Sequence, residues 1–482
     1  MTEYEAVIGL EVHVQLSTRS KLFCACSSEY GARPNSQVCP VCLGHPGVLP
    51  VVNKLAVELG VRAALAVGAD VKRLSTWARK NYFYPDLPKG YQITQFDQPL
   101  AEGGFVEIES KNTSRRIPIA RMHLEEDAGK SKHPEQAGDT STLVDLNRCG
   151  TPLLEIVCEP EIRTPKEAHA YLDALKQILE YCEVSDCDME KGNLRCDANI
   201  SVRSAGEEGL GTKTEIKNLN SFRAVERALA AEVDRQTTLL KDGRTIEQAT
   251  LLWDERTGDT QLMRGKEESP DYRYFPEPDL PPLVLEDGWI GEIQSRIPES
   301  PAARRQRFVS MFGIRPYDAR VLTASRGLSD YYDAIASRVP DAQTAANVIT
   351  TELLGLLHDR GLDIAACPVS PGDLTALLNM RSEGVLSGPL AKQVLVAMVE
   401  SGKTAEEVIE KHGWSPVDDK VQLDSWVREM IEANPDAVAA YLGGKESLLQ
   451  FFIGQVMKRS QGRADPVKVA EILRQALAGE RA

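Results

Sequence analysis

The sequence predicts an α+β sheet domain over residues 1–292, followed by all-helical segments at 293–404 and 405–482. Three observations carry this reading. Up to about residue 290, apolar residues alternate with polar ones in stretches of period two, separated by a few helical stretches. The segment Ser269 to Pro282 then carries Pro270, Pro276, Pro278, Pro281 and Pro282, and proline continues neither a helix nor a central strand. Beyond Ser300 the pattern is helical with cap and stop residues. A chain of 482 residues also exceeds the roughly 250 to 300 residues that one hydrophobic core supports.

The first predicted strand runs from Leu10 to Leu16, with Leu10, Val12, Val14 and Leu16 on one face and Glu11, His13 and Gln15 on the other. Further strands are expected at Ile117 to Glu125, Leu153 to Cys158 and Leu194 to Val202. The clearest helix starts at Thr164, a cap, with Pro165 at the first helical position and Glu167 placed for a capping box. Its apolar face follows as Ala168, Tyr171, Leu172, Leu175, Ile178 and Leu179. In the helical part, Thr404 reads as a cap, Gly413 as a stop, and Asn434-Pro435 and Asp465-Pro466 as helix starts. There is no internal repeat.

Composition narrows the function. With 42% hydrophobic and 26% charged residues the chain is expected to fold as an ordinary globular protein. No run approaches the roughly 18 to 20 apolar residues of a membrane span, and the start Met1-Thr2-Glu3-Tyr4-Glu5 is acidic where a signal peptide is basic, so a cytoplasmic location is expected. The net charge of −15 excludes a general nucleic-acid coat, because phosphate binding is dominated by Lys and Arg. Any such contact must be local. From Lys445 to the end, seven Lys/Arg stand against four Asp/Glu, a net +3 beside −18 for the rest. A solvated helical face explains that asymmetry as well as a binding surface does.

Glu11 and His13 share one side of a strand, which makes half of a metal site or the wet face of a sheet. Glu155 is harder to dismiss, because it interrupts the apolar run Leu153-Leu154-Glu155-Ile156-Val157, and a buried carboxylate is costly unless paired or metal-bound. With His123-Leu124-Glu125-Glu126-Asp127, the chain offers hard oxygen ligands and an imidazole on separate strands, a set suited to magnesium rather than zinc. Gly129-Lys130-Ser131 and Gly402-Lys403-Thr404 resemble the end of a phosphate-binding loop, but the required earlier glycine is Leu124 in one and Ala397 in the other. No dinucleotide-binding fingerprint occurs either. An ATP enzyme built on this sequence would have to hold phosphates through carboxylate-bound magnesium and basic side chains.

Ten cysteines in a chain expected to meet reducing conditions point away from disulfides. Cys24, Cys26, Cys39 and Cys42, spaced C-x-C-x12-C-x-x-C, fit a closed tetrahedral structural zinc, with a redox pair or free thiols as the competing readings. Cys149, Cys158, Cys182, Cys187, Cys196 and Cys367 lack such spacing and read as packing residues. The stretch Arg79-Lys80-Asn81-Tyr82-Phe83-Tyr84 sets aromatics beside cations, which can stack bases, line a pocket or simply build core.

These blocks form a known pattern. GLEVHVQLSTRSKLF, RKNYFYPDLPKGYQITQFDQP, HLEEDAGKS, LVDLNRCGTPLLEIV, LRCDANISVR, TEIKNLNSF and DYRYFPEPD occur in the order and spacing of the B subunit of the tRNA-dependent amidotransferases, and the chain resembles that family nearly end to end. The resemblance implies a curved-sheet cradle domain like that of glutamine synthetase and guanidino kinases, holding ATP and Mg2+. It implies phosphorylation of the side-chain carboxylate of Glu-tRNA(Gln) or Asp-tRNA(Asn), then displacement of phosphate by ammonia. An amidase-type A subunit supplies that ammonia and a small C subunit completes a heterotrimer. By motif, Glu11, His13, Glu125 and Glu155 are the implied magnesium ligands, with Glu215 a further acidic neighbour and Glu126 an alternative to Glu125. The cysteines, in an insert at about 22–44, match the family's zinc-bearing members. The tail resembles the family's tRNA-binding region, where Lys458, Arg459 and Arg463 are the implied contacts. A non-enzymatic tRNA-binding scaffold is the competing class, for which loss of the carboxylates is the expected sign, and here they are present. A ligase acting on free amino acids is another, separated by whether ATP hydrolysis needs aminoacylated tRNA.

Overall fold

A computed structural model describes residues 4–110, 113–132, 141–265, 271–414, 420–460, 464 and 466–479. It divides into two compact units, one ending at Ser300 and one beginning at Pro301. The order is the expected one, a large sheet first and helices after.

Ten strands of the first unit form one sheet. They are β1 (Tyr4–Gln15), β2 (Asp70–Val71), β3 (Ala101–Glu102), β4 (Phe105–Ser110), β5 (Thr113–Glu126), β6 (Pro152–Cys158), β7 (Leu194–Ser204), β8 (Thr214–Leu219), β9 (Ala249–Asp254) and β10 (Asp259–Gly265). Their spatial order is β10-β9-β8-β7-β1-β6-β5-β3-β2, with β4 also on β5. Only β8 and β9 run parallel among these pairs. Strand β1 begins six residues before the predicted Leu10, and its apolar side chains Ile8, Leu10, Val12 and Val14 are almost fully buried.

Three helices cover that apolar face: α1 (Lys54–Ala66), α2 (Pro165–Tyr181) and α3 (Phe222–Lys241). The predicted stripe of α2 is the buried one, with Ala168, Tyr171, Leu172, Leu175 and Leu179 inaccessible. Each such leucine stabilises the unit by roughly 1.5 to 3 kcal/mol relative to exposure. The Thr164 hydroxyl accepts from the Glu167 N–H at 3.2 Å, the cap its sequence indicates, while the Glu167 carboxylate expected to close a capping box accepts from the Arg163 N–H at 2.9 Å. With hydrophobic packing confined to this side, the opposite face of the sheet is left for polar side chains.

Two boundaries differ from the sequence reading. The edge expected at 292 falls inside α4 (Asp287–Ser295), whose Ile290 and Ile293 are buried in the first core. The edge expected at 404 falls inside a second buried cluster, because the helix Ala405–His412 packs Ala405 and Val408 with Phe308, Tyr332, Leu390 and Leu395. A separate cluster, including Leu423, Val427, Phe452, Val456 and Leu473, is formed by the helices from Lys420 onward. Local capping signals mark where helices start but not which core they join.

Both loops that resemble phosphate-binding sequences have other roles. Gly402 is a left-handed helix cap at φ 66° and Thr404 caps the next helix with a complete capping box. Gly129 is wedged between backbones: a Cβ there would lie 2.9 Å from both the Asp86 and the Asp145 carbonyl oxygens.

Candidate functional site

Strand pairing places the polar faces of four strands side by side. His13 on β1 is opposite Glu155 on β6 and opposite Arg195 on β7, and Glu155 is in turn opposite His123 on β5. One row therefore reads Arg195, His13, Glu155, His123 across the sheet. Glu11 lies two residues along β1, and Glu125 two residues along β5, on the same face.

His13 Nε2 lies 3.3 Å from Glu125 Oε1, 3.3 Å from Glu155 Oε2 and 3.8 Å from Glu11 Oε1. His123 Nε2 is 3.2 Å from the same Glu155 oxygen and 3.8 Å from Glu125 Oε2. Glu125 and Glu155 are only 2% and 4% exposed. Burial opposes charge on all of these groups. For Glu125, hydrogen bonds from His123 and His13 outweigh burial and hold the carboxyl below its usual range. Glu155 is likewise held low by His123 and His13. Burial disfavours protonated His13, but hydrogen bonds to Glu125 and Glu155 push it up to about 10. His123 is raised to about 9 against burial, chiefly by the Glu155 charge. Glu11 is pushed upward by burial and by repulsion from Glu155.

The set fits a divalent cation. Ligating atoms of Glu11, His13 and Glu155 lie within 4.8 Å of one another, as do those of His123, Glu125 and Glu155. Carboxylates this close and this buried are costly unless positive charge is shared among them. Protonated His13 and His123 supply that charge by themselves, and a cation would supply it in their place once it displaced the imidazole protons. An oxygen-rich donor set is what a hard cation takes.

A small sheet of strands Ala78–Asn81, Tyr91–Thr94 and Phe275–Pro276 borders the cluster. Thr94 Oγ1 lies 3.3 Å from Glu125 Oε2. Glu126, next in sequence, accepts from the Ile93 N–H at 2.9 Å and pairs with Lys89. Of the two adjacent carboxylates, Glu125 therefore joins the imidazoles and Glu126 does not. Glu215 is also placed apart: it binds Lys217 at 2.9 Å and Thr250 at 3.0 Å, and it belongs to neither metal-capable group. Lys217 in turn pairs with Asp197, the cross-strand neighbour of Glu11.

Sequence reasoning did not assign His123 or Lys80 to the site. The signal for His123 was present, since it precedes Glu125 by two residues. Lys80 sits in the aromatic and cationic stretch, and its charge is felt by Glu11, Glu125 and Glu155.

The four cysteines also converge, with Cys24, Cys26, Cys39 and Cys42 Sγ all within 4.8 Å of one another and Cys39 to Cys42 at 3.9 Å. A tetrahedral ion with metal–sulfur bonds of about 2.3 Å separates its sulfurs by about 3.8 Å. A hydrogen bond from Cys24 lowers Cys42 to about 4, with Lys21, 3.5 Å away, adding to it, while burial pushes Cys26 up to about 11. In the second unit, Lys458 and Arg459 are exposed at the end of the helix Leu448–Arg459, with Arg459 3.6 Å from Glu429. Arg463 lies outside the described residues. Among the described residues no helix is long and apolar enough to cross a membrane.

The chain is similar to known proteins over nearly its whole length. Residues 6–291 match the model of the GatB/GatE catalytic domain, and residues 330–477 match that of the GatB domain. The B subunit of the aspartyl/glutamyl-tRNA(Asn/Gln) amidotransferase of Moorella thermoacetica is 51% identical over 475 residues, 98% of this chain and 100% of that protein. Its counterpart in Carboxydothermus hydrogenoformans is 51% identical over 479 residues, 99% and 100% of the two chains. That of Geobacter sulfurreducens is 49% identical over 477 residues, again 99% and 100%.

Proposed function

The chain belongs to the B-subunit family of the aspartyl/glutamyl-tRNA(Asn/Gln) amidotransferases, and from that premise we propose that it activates the side-chain carboxylate of Glu-tRNA(Gln) or Asp-tRNA(Asn) with ATP for conversion to the amide. A free carboxylate resists ammonia because its leaving group would be oxide. Phosphorylation replaces that leaving group with phosphate. The carboxylate oxygen bonds to the γ-phosphorus as its bond to the β–γ bridging oxygen breaks and ADP leaves. Ammonia then bonds to the acyl carbon and phosphate departs.

The observation that carries this reading is the His13–Glu155–His123 row with Glu11 and Glu125 beside it. Glu11, His13, Glu125 and Glu155, joined by His123, would hold Mg2+. When bound, that ion neutralises charge on the nucleotide phosphates. The protein's own groups orient the reactants, and the helix-covered back of the sheet keeps the charged row rigid. Glu215 contributes by fixing Lys217 on the same face. A sheet with one packed and one charged face supports the likeness to glutamine synthetase and guanidino kinases. The cysteine quartet holds a structural zinc, and Lys458, Arg459 and Arg463 contact tRNA. The partners are an amidase-type A subunit supplying ammonia and a small C subunit, in the cytoplasm where tRNA is charged.

The test is to assemble the chain with such A and C subunits and assay each mischarged tRNA. ATP, glutamine and Glu-tRNA(Gln) or Asp-tRNA(Asn) should yield the amide with one ADP per turnover. ATP hydrolysis that proceeds equally with free glutamate would refute the assignment.

A further inference from the structure

We infer that Lys80 is a substrate-contacting residue of this site, its ammonium propped over the Tyr272 ring to take anionic oxygen of the phosphoryl group during transfer. The inference rests on the function proposed above.

Lys80 and Arg79 are neighbours on the strand Ala78–Asn81, so they leave it on opposite faces. Arg79 is fully engaged, with Nε and Nη2 at 2.7 and 2.9 Å from the two Glu277 oxygens and the guanidinium 4.3 Å from the Tyr91 ring centre. Lys80 is paired with Gln92, and Ala78 with Thr94. It therefore shares its face with Thr94, the residue that touches Glu125. Burial works against its charge, yet Glu125, Tyr274 and Glu155 keep the ammonium protonated beyond the usual lysine range.

Proximity has not become an ion pair. Among the described residues no carboxylate lies within 4.0 Å of Lys80, whose nitrogen sits 4.9 Å from the Tyr272 ring centre. Neighbouring cations differ: Lys89 pairs with Glu126, Arg195 with Asp127 and Lys217 with Asp197. Nor is Lys80 needed to hold the Tyr272 segment in place. Asn81 already does so, its N–H donating to the Tyr272 carbonyl at 2.9 Å and its amide to the Arg273 carbonyl at 2.8 Å. An ammonium held off the carboxylates, but within their field, is placed for a third, incoming anion.

The transferring phosphoryl group spreads negative charge over its equatorial oxygens, so a fixed point charge beside it acts on the transition state more than on the bound nucleotide. Lys80 stays protonated throughout. No bond to it forms or breaks, and the electron pair of the cleaved P–O bond leaves with ADP.

The test uses the assembled complex with saturating mischarged tRNA, and ammonium chloride as nitrogen donor so that glutamine hydrolysis does not enter. For Lys80→Met, single-turnover ADP formation should fall by about 100-fold or more, as for removal of one preorganised donor, with the thermal unfolding midpoint unchanged. Lys80→Gln is read by the same criteria should the methionine variant not fold. Tyr272→Leu, which removes the ring under the ammonium, should lose about tenfold. A Lys80→Met rate equal to wild type, a loss matched by a lower unfolding midpoint, or a change confined to KM for tRNA would each overturn the inference. Wild-type protein that makes no ADP with mischarged tRNA would instead remove the function on which it rests.

Discussion

The cysteine quartet is drawn from one loop between Cys24 and Cys42, whereas the carboxylate and imidazole cluster is drawn from three strands reaching from Glu11 to Glu155. The loop has almost no core of its own: between Cys24 and Leu49 Cys42 alone is buried. Hydrogen bonds such as the Gln37 N–H to Asn147 at 2.8 Å hold it, and the zinc proposed for its four cysteines would add the rest of its order. The strand cluster is the reverse case. Its scaffold is secured by Val12, Leu154, Ile156 and Leu124 on the other face, so the charged groups are free to serve chemistry. The two proposed metal sites, one ordering its loop and one resting on a packed sheet, should therefore respond differently to the loss of one ligand.

The largest expected effect is at the strand cluster. Glu155→Gln should lower ATP-dependent activation by about 10³-fold or more, consistent with loss of a principal electrostatic group, while cooperative unfolding persists and glutamine hydrolysis by the partner continues. An active Glu155→Gln protein would break the comparison, because the row would then be structural. At the loop, metal analysis should find about one zinc per chain. Cys39→Ser should release it and lower the unfolding midpoint, with activity falling less than for Glu155→Gln. Retained zinc, or an unchanged midpoint after its loss, would mean that the loop orders itself.

The smallest effect belongs to the exposed helix end, where, among the described residues, no metal-capable group includes a neighbour of Lys458 or Arg459. Lys458→Ala with Arg459→Ala should weaken tRNA binding several-fold and reduce the salt slope by about one to two, roughly one per phosphate contact. The rate at saturating tRNA should not change. Binding measured across a salt series checks this, and an unaltered slope would show those cations to be solvated only.

Much of the site was legible because strand geometry is local. The alternation of Leu10, Val12 and Val14 with Glu11 and His13 fixes which side chains share a face, whatever lies next to the strand. The cysteine spacing and the Thr164-Pro165 start of α2 are equally local, and the motif blocks identify the family from end to end. The glutamate in an apolar run at Leu153 to Val157 announced a buried charge before any neighbour was known.

Tertiary structure decided what locality cannot reach. Alternation says that Glu125 and Glu126 point apart, but only the pairing of β5 with β6 says which of them meets Glu155 and His13. The same pairing admits His123, and the position of β8 beyond β7 leaves Glu215 with Lys217 and Thr250. Lys80 enters from a separate small sheet that no period in the sequence links to β5. The helix after Thr404 joined the earlier core because Ala405 and Val408 found apolar partners there. The physical reason is common to all of these: side-chain period is set by backbone geometry within a few residues, whereas register and neighbourhood are set by burying surface between segments far apart in the chain.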